Sequence, residues 1–311
     1  MFFTIHFMTT ITTSTREQTT QGLLYAAACY LLWGIFPLYW YPLNATAMPA
    51  EQILAQRIVW SALFALMILP FSGQNRQLLA ALRDRRLLLI FFGSAAALSV
   101  NWLTYLWAVT HHHVLDAGLG YFITPLVAVL LGRIVLHEIL RPTQLAAIAI
   151  AAGGVLYLTW LSGGVPVVAV ILALSFGFYG LLRKIAPLPA LAALVLETLW
   201  MLPFALLYLL WADHRGDFYF TELAPLARLV LIGSGVVTTI PLLLFAAGAK
   251  RISLANMGMI QYISPTLQFI IGLTVFHEPF NIHRLIGYAM VWLAVLVYLA
   301  GSLRPLQKPV M

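Results

Sequence analysis

Apolar residues along this chain fall in blocks of about twenty, separated by short polar connections. At 1.5 Å rise per residue, such a block is long enough as a helix to cross about 30 Å of hydrocarbon. The blocks lack the two-residue alternation of barrel strands, so helical spans are expected, the other structure that satisfies every backbone group in lipid. The pattern predicts spans over 22–41, 53–71, 87–108, 115–136 and 142–161, then over 165–182, 190–211, 226–248, 254–276 and 282–302. That is ten helices in two sets of five. The joint between the sets, 163–166, is too short to be a flexible linker. The chain therefore divides into a disordered tail over 1–21, a first five-helix unit over 22–162, a second over 163–303, and a short tail over 304–311.

The two units carry the same text. Residues 118–138 recur as 258–278, 140 positions later and without a gap. Gly118 meets Gly258, Pro125 meets Pro265, Gly132 meets Gly272, and His137-Glu138 meets His277-Glu278. Repeats on this scale decide how a fold is built.

Composition agrees with a membrane protein: the chain is 62% hydrophobic and 9% charged, with a mean hydropathy of +0.93, against about 25% charged for a soluble domain. The net charge of +7 comes from basic residues scattered between the apolar blocks, with no continuous basic face for nucleic acid. Membrane topology accounts for them better. With the N-terminus inside, thirteen of the seventeen Lys and Arg fall in cytoplasmic segments, so both termini are expected in the cytoplasm. An odd number of helices per unit then makes the two units enter the membrane from opposite faces. Inverted repeats of this kind are a common construction of secondary transporters.

Depth points to a binding site. Pro125 and Pro265 each lie about ten residues into a span, near the midplane. Each removes a backbone donor, freeing the carbonyls of Tyr121 and Gln261. Paired breaks in corresponding places of two halves mark binding sites in transporters. Proline and glycine are also common in membrane helices at large, which is the plainer explanation of either one alone. Arg57 and Glu197, again 140 apart, are ionisable residues inside spans and hence functional candidates by their cost in lipid. They suit a substrate carboxylate and amine, or proton coupling at Glu197; packing or snorkelling is the alternative. Asn101 and Trp102 in the third span, Tyr121 in the fourth and Tyr262 in the ninth complete the cavity candidates. Asp116 and its counterpart Asn256 read as helix caps. The remaining aromatics read as interfacial belt or packing.

Other chemistry finds little support. No Walker-type loop, His-Glu-x-x-His or Gly-x-Ser-x-Gly is present, so no enzyme is expected and uphill transport would draw on a proton or other ion gradient. The consecutive residues His111, His112 and His113 point in different directions without an acidic or Cys partner, and the one cysteine, Cys29, lies inside a block; no metal or cofactor is expected.

Several motifs carry a family resemblance. Asn101-Trp102-Leu103, Trp107-Ala108-Val109, Leu119-Gly120-Tyr121-Phe122-Ile123, Gln261-Tyr262-Ile263-Ser264-Pro265-Thr266, Trp33-Gly34 with Pro37-Leu38-Tyr39, and Arg57 with Trp60-Ser61 are similar to the RarD branch of the EamA-type transporters, in the drug/metabolite transporter superfamily. The resemblance covers residues 22–302 and implies an all-α integral membrane protein of ten transmembrane helices, in the bacterial inner membrane, moving small metabolites or drugs. The chain departs from the branch at Gln56, where a His is usual, and at Tyr41, where a Lys is usual. The expected partners are membrane lipids and a small-molecule solute; a channel, or a membrane-embedded enzyme, is the alternative.

Overall fold

The structure is a computed structural model describing residues 2–43, 46–110, 114–161, 167–277 and 282–303. Its described residues form thirteen α-helices and no strand. They are α1 (Phe2–Gly34), α2 (Phe36–Trp40), α3 (Ala50–Ile68), α4 (Asn75–Ala81), α5 (Arg85–Thr110), α6 (Val114–Ile134), α7 (Pro142–Leu161), α8 (Val167–Ile185), α9 (Ala190–His214), α10 (Pro225–Ala249), α11 (Leu254–Gln261), α12 (Ile263–Thr274) and α13 (Ile282–Leu303). Seven of these are long and apolar enough to cross a membrane, and an eighth span is formed if the pair Glu17–Gly34 and Phe36–Leu43, bent by 40°, counts as one. The chain is thus a multi-pass membrane protein.

Two elements differ from the sequence expectation. The tail expected to be disordered over 1–21 is helical from Phe2, since no glycine or proline interrupts it before Gly22 and the turn-by-turn hydrogen bonding of α1 can propagate back through it. Only one of the two prolines expected to break a span lies beside a break. Helix α6 runs unbroken through Pro125, with the Thr124 hydroxyl bonded to the Gly120 carbonyl at 2.7 Å, a side-chain adjustment of the kind that lets membrane helices carry proline. On the other side the chain breaks at Tyr262, three residues before Pro265, dividing α11 from α12. The break between α1 and α2 has its own proline, Pro37, which cannot serve the Trp33 carbonyl; the Gln268 amide donates to it instead at 3.3 Å.

Helices at corresponding places in the two halves pack on each other: α3 on α9, α6 on α11, and α7 on α13. Residues 140 apart even touch, for the Tyr262 hydroxyl donates to the Phe122 carbonyl at 3.2 Å. The backbone repeats as well. His137 and His277 both adopt φ of 53°, a left-handed conformation that ends the preceding helix and turns the chain. Around Phe122 and Tyr262 a core of α6, α7, α11 and α13 side chains forms, while a second, containing Tyr30, Leu98, Tyr179 and Phe245, sits among α1, α5, α8 and α10.

The His111–His113 cluster, the 163–166 joint, Glu278 and the 304–311 tail lie outside the described residues, as do the side chains of Asp116 and Arg284.

Candidate functional site

Where α1, α2, α3, α5, α6, α8, α10 and the α11–α12 break converge there is a cavity of about 500 Å³. Its floor is buried, formed by Tyr30, Leu98, Asn101, Leu242, Gln261 and Ser264. Its rim, at Phe36, Trp40, Tyr105, Tyr121 and Phe276, is more exposed, so access runs from the end of the bundle where α1 stops and α3 begins.

Arg57 dominates the wall. About two turns into α3, its guanidinium carbon lies 5.1 Å from the Trp40 ring centre and 5.0 Å from that of Trp102, a cation over two π faces. Its Nε donates to the Thr238 hydroxyl at 3.4 Å. The phenols of Tyr121, Tyr105 and Tyr39 are near enough to interact with it electrostatically. Asn101 is anchored to α8, donating to the Leu172 carbonyl at 2.9 Å and to the Ser175 hydroxyl at 3.1 Å.

Of the residues singled out from sequence, Arg57, Asn101, Trp102, Tyr121, Gln261 and Pro265 line this cavity together. Three do not. Pro125 is packed away from it, its carbonyl against the α-carbon of Gly258, where an added Cβ would sit 2.7 Å from that oxygen. Tyr262 turns into the core with Phe122, the two rings 6.2 Å apart. Glu197 is wholly buried between α5, α8 and α9, where its carboxylate lies 3.4 Å from Arg183 Nη1 and accepts from the Ser94 hydroxyl. The sequence pattern places Arg183 in a polar connection; it is also buried, and a buried cation needs the carboxylate more than a substrate would.

Other lining residues are not among those singled out from the sequence. Trp40 reads as an interfacial aromatic, and its role depends on the bend at Pro37 that carries it over Arg57. Thr238 and Gln268 do carry a signal, since each is a polar side chain deep in an apolar span.

The opposite end of the bundle is sealed by polar contacts. Glu138, just past α6, accepts from the backbone N–H of Leu254 at 2.7 Å and of Ala255 at 3.1 Å, capping α11. Ser253 is the N-cap residue proper, accepting from Asn256 N–H at 3.0 Å. Asn256, expected to cap, instead accepts from the Tyr298 hydroxyl at 2.9 Å. Lys184 Nζ lies 3.9 Å from Glu138 and donates to the Ala249 carbonyl at 3.0 Å. Lys250 donates to the Leu188 carbonyl, and burial, then the neighbouring charges of Arg183 and Arg251, hold its ammonium below the usual lysine range. No group of three or more metal-ligating side chains occurs among the described residues.

A model of the EamA-like transporter family matches the chain twice, over residues 20–160 and 165–300. The chain is 42% identical to the uncharacterized transporter YojE of Bacillus subtilis (strain 168) over 291 residues, covering 90% of this chain and 94% of that protein. It is 37% identical to protein RarD of Escherichia coli (strain K12) over 287 residues, covering 92% and 96%. A chloramphenicol-sensitive protein RarD of Pseudomonas aeruginosa (strain ATCC 15692 / DSM 22644 / CIP 104116 / JCM 14847 / LMG 12228 / 1C / PRS 101 / PAO1) is 32% identical over 292 residues, covering 93% and 96%. A crystal structure at 18% identity superposes with a TM-score of 0.69 over 91% of this chain and 99% of its own, a likeness of fold.

Proposed function

The chain belongs to the EamA-like transporter family, in company with the RarD proteins, and from that premise we propose that it is a secondary transporter of small organic solutes working by alternating access. Ten passages cross the bacterial plasma membrane in this reading, with α11 and α12 together making the ninth, α13 the tenth, and both termini in the cytoplasm. The cavity then faces outward, and the Glu138 end is the closed cytoplasmic side.

One observation carries the reading. In an inverted repeat the two halves are equivalent in sequence, and a single asymmetric conformation implies its mirror partner. Gly258 is pressed against the Pro125 carbonyl, whereas its equivalent Gly118 has nothing among the described residues within 4 Å of where a Cβ would stand. The same pair of contacts is thus made at one end and open at the other. Exchanging the roles brings Gly118 against Pro265, closes the present opening, and opens the Glu138 end.

The test needs no substrate. Ala128 Cβ lies 3.3 Å from the Cβ position of Gly258, and its equivalent 140 residues on is Gln268. With Cys29→Ser removing the native thiol, Gly118→Cys and Gln268→Cys are expected to form a disulfide under mild oxidation in membranes, because the exchanged state brings their Cβ atoms within the roughly 3.5–4.5 Å a disulfide requires. Complete absence of the cross-link overturns alternating access, and single-channel currents from reconstituted protein would establish a channel instead.

A further inference from the structure

A pair of opposite charges in the cavity would suit a zwitterion. The geometry removes half of that pair, since Glu197 is spent on Arg183 outside the cavity. What remains among the described lining residues is one formal charge, Arg57, with no Asp or Glu beside it. Its guanidinium carbon stands over the rings of Trp40 and Trp102 and its Nε is taken by Thr238, and no hydrogen-bond acceptor among the described residues meets its Nη groups. A guanidinium in that position offers one open edge, a two-pronged fork of donors matched to a carboxylate. A cation in a low-dielectric wall without a counter-ion is costly, and a bound anion supplies the missing charge.

We infer that the transported solute is a small organic carboxylate with an aromatic or apolar body, its carboxylate seated on the open edge of Arg57 and its body on the tryptophan and tyrosine walls. This rests on the transport reading above for the word transported; the binding itself does not. An ammonium group on the same body finds no carboxylate partner in the described wall. The amides of Gln261 and Gln268 and the hydroxyl of Ser264 lie deeper and can sort solutes by their further polar groups.

Two tryptophans at the charge make the test direct, because their fluorescence reports occupancy. Benzoate, benzamide and benzylamine share a ring and differ in the group offered to Arg57. Titrated into the purified full-length protein in detergent, benzoate is expected to change the tryptophan emission saturably, and benzamide and benzylamine to bind about tenfold to a hundredfold more weakly, the loss of a charge-assisted hydrogen bond pair. Arg57→Gln is expected to level the three, while Arg57→Lys keeps the preference for benzoate in weakened form. Equal or better binding of the amine or the amide by the unaltered protein overturns the inference, as does a benzoate response that is absent or fails to saturate. Because the three compounds are compared on the unaltered chain, a variant that fails to fold does not affect that result. Failure here with a positive Gly118–Gln268 cross-link would leave the transporter reading standing and reject only the anion.

Discussion

Arg57 and Glu197 occupy the same position in the two halves, yet one faces a cavity and the other is consumed by the bundle. Their substitutions should therefore fail in different ways. Glu197→Ala leaves Arg183 buried without its carboxylate, and removing one partner of a buried pair costs about 3–5 kcal/mol. The expected result is a large loss of thermal stability in detergent. Arg183 Nε and Nη1, Glu197 Oε2 and the Tyr179 hydroxyl have no hydrogen-bond partner among the described residues, so the pair is held by charge at 3.4 Å more than by directed bonds. Replacing both members with apolar side chains, Arg183→Met with Glu197→Leu, should then recover most of the stability, and failure to recover any would contradict this account. Arg57→Gln should leave stability near its starting value while abolishing the preference for carboxylates. In the sequence the two residues look alike, each one ionisable group in an apolar block. Nothing short of the packing distinguishes them, because Glu197 is claimed by Arg183 from a neighbouring helix, and that meeting is a matter of which faces turn toward each other.

At the scale of elements, the repeat was legible and its asymmetry was not. A 140-residue offset exposes corresponding helices, prolines and end signals, and the matching φ of His137 and His277 repeats it in the backbone. In the proposed alternating-access cycle, which of two equivalent prolines lies beside a break, and which glycine is in contact, depends on the conformation adopted, and one sequence encodes both. The His-Glu ends gain a use from this. Glu138 caps α11 at the closed end, a contact the proposed exchange would break, and Gly132 leaves the room for it, since a Cβ there would stand 2.6 Å from Glu138 Oε2. Glu138→Gln keeps an acceptor but loses the charge that favours a helix N-terminus, a change worth roughly 1 kcal/mol. It should shift the population toward the other state and raise the yield of the Gly118–Gln268 cross-link about fivefold in a trace-oxidant assay. Gly132→Ala, by displacing the carboxylate, should act in the same direction. A yield that stays level or falls in both variants would detach Glu138 from the conformational balance.

Across the whole molecule, the distribution of charge sets the energetics of transport. Basic residues gather at the Glu138 end of the bundle, where Arg76 lies in α4, Arg83, Arg85 and Arg86 follow it, and Arg133, Arg141, Lys184, Lys250 and Arg251 lie near the closing contacts, and this bias supports placing that end in the cytoplasm. A carboxylate leaving a cell with one negative charge moves down a membrane potential that is negative inside, worth about 2.3 kcal/mol per 100 mV. On the proposed cycle Arg57 returns with the empty carrier, so the charge that crosses in a full cycle is the solute's own. Export of such an anion then requires no coupled ion, and the described cavity wall, with no Asp, Glu or His, offers no carboxylate or imidazole to carry a proton. In proteoliposomes loaded with labelled benzoate, an inside-negative potassium diffusion potential set with valinomycin should accelerate efflux, and reversing the potential should slow it, at a constant pH on both sides. Benzoic acid crosses lipid unaided in its neutral form, so the rate is read as the difference from protein-free vesicles and at a pH well above the carboxylate range. Efflux indifferent to the potential but responsive to an imposed pH gradient would mean that a proton accompanies the anion, and the carrier would then be electroneutral.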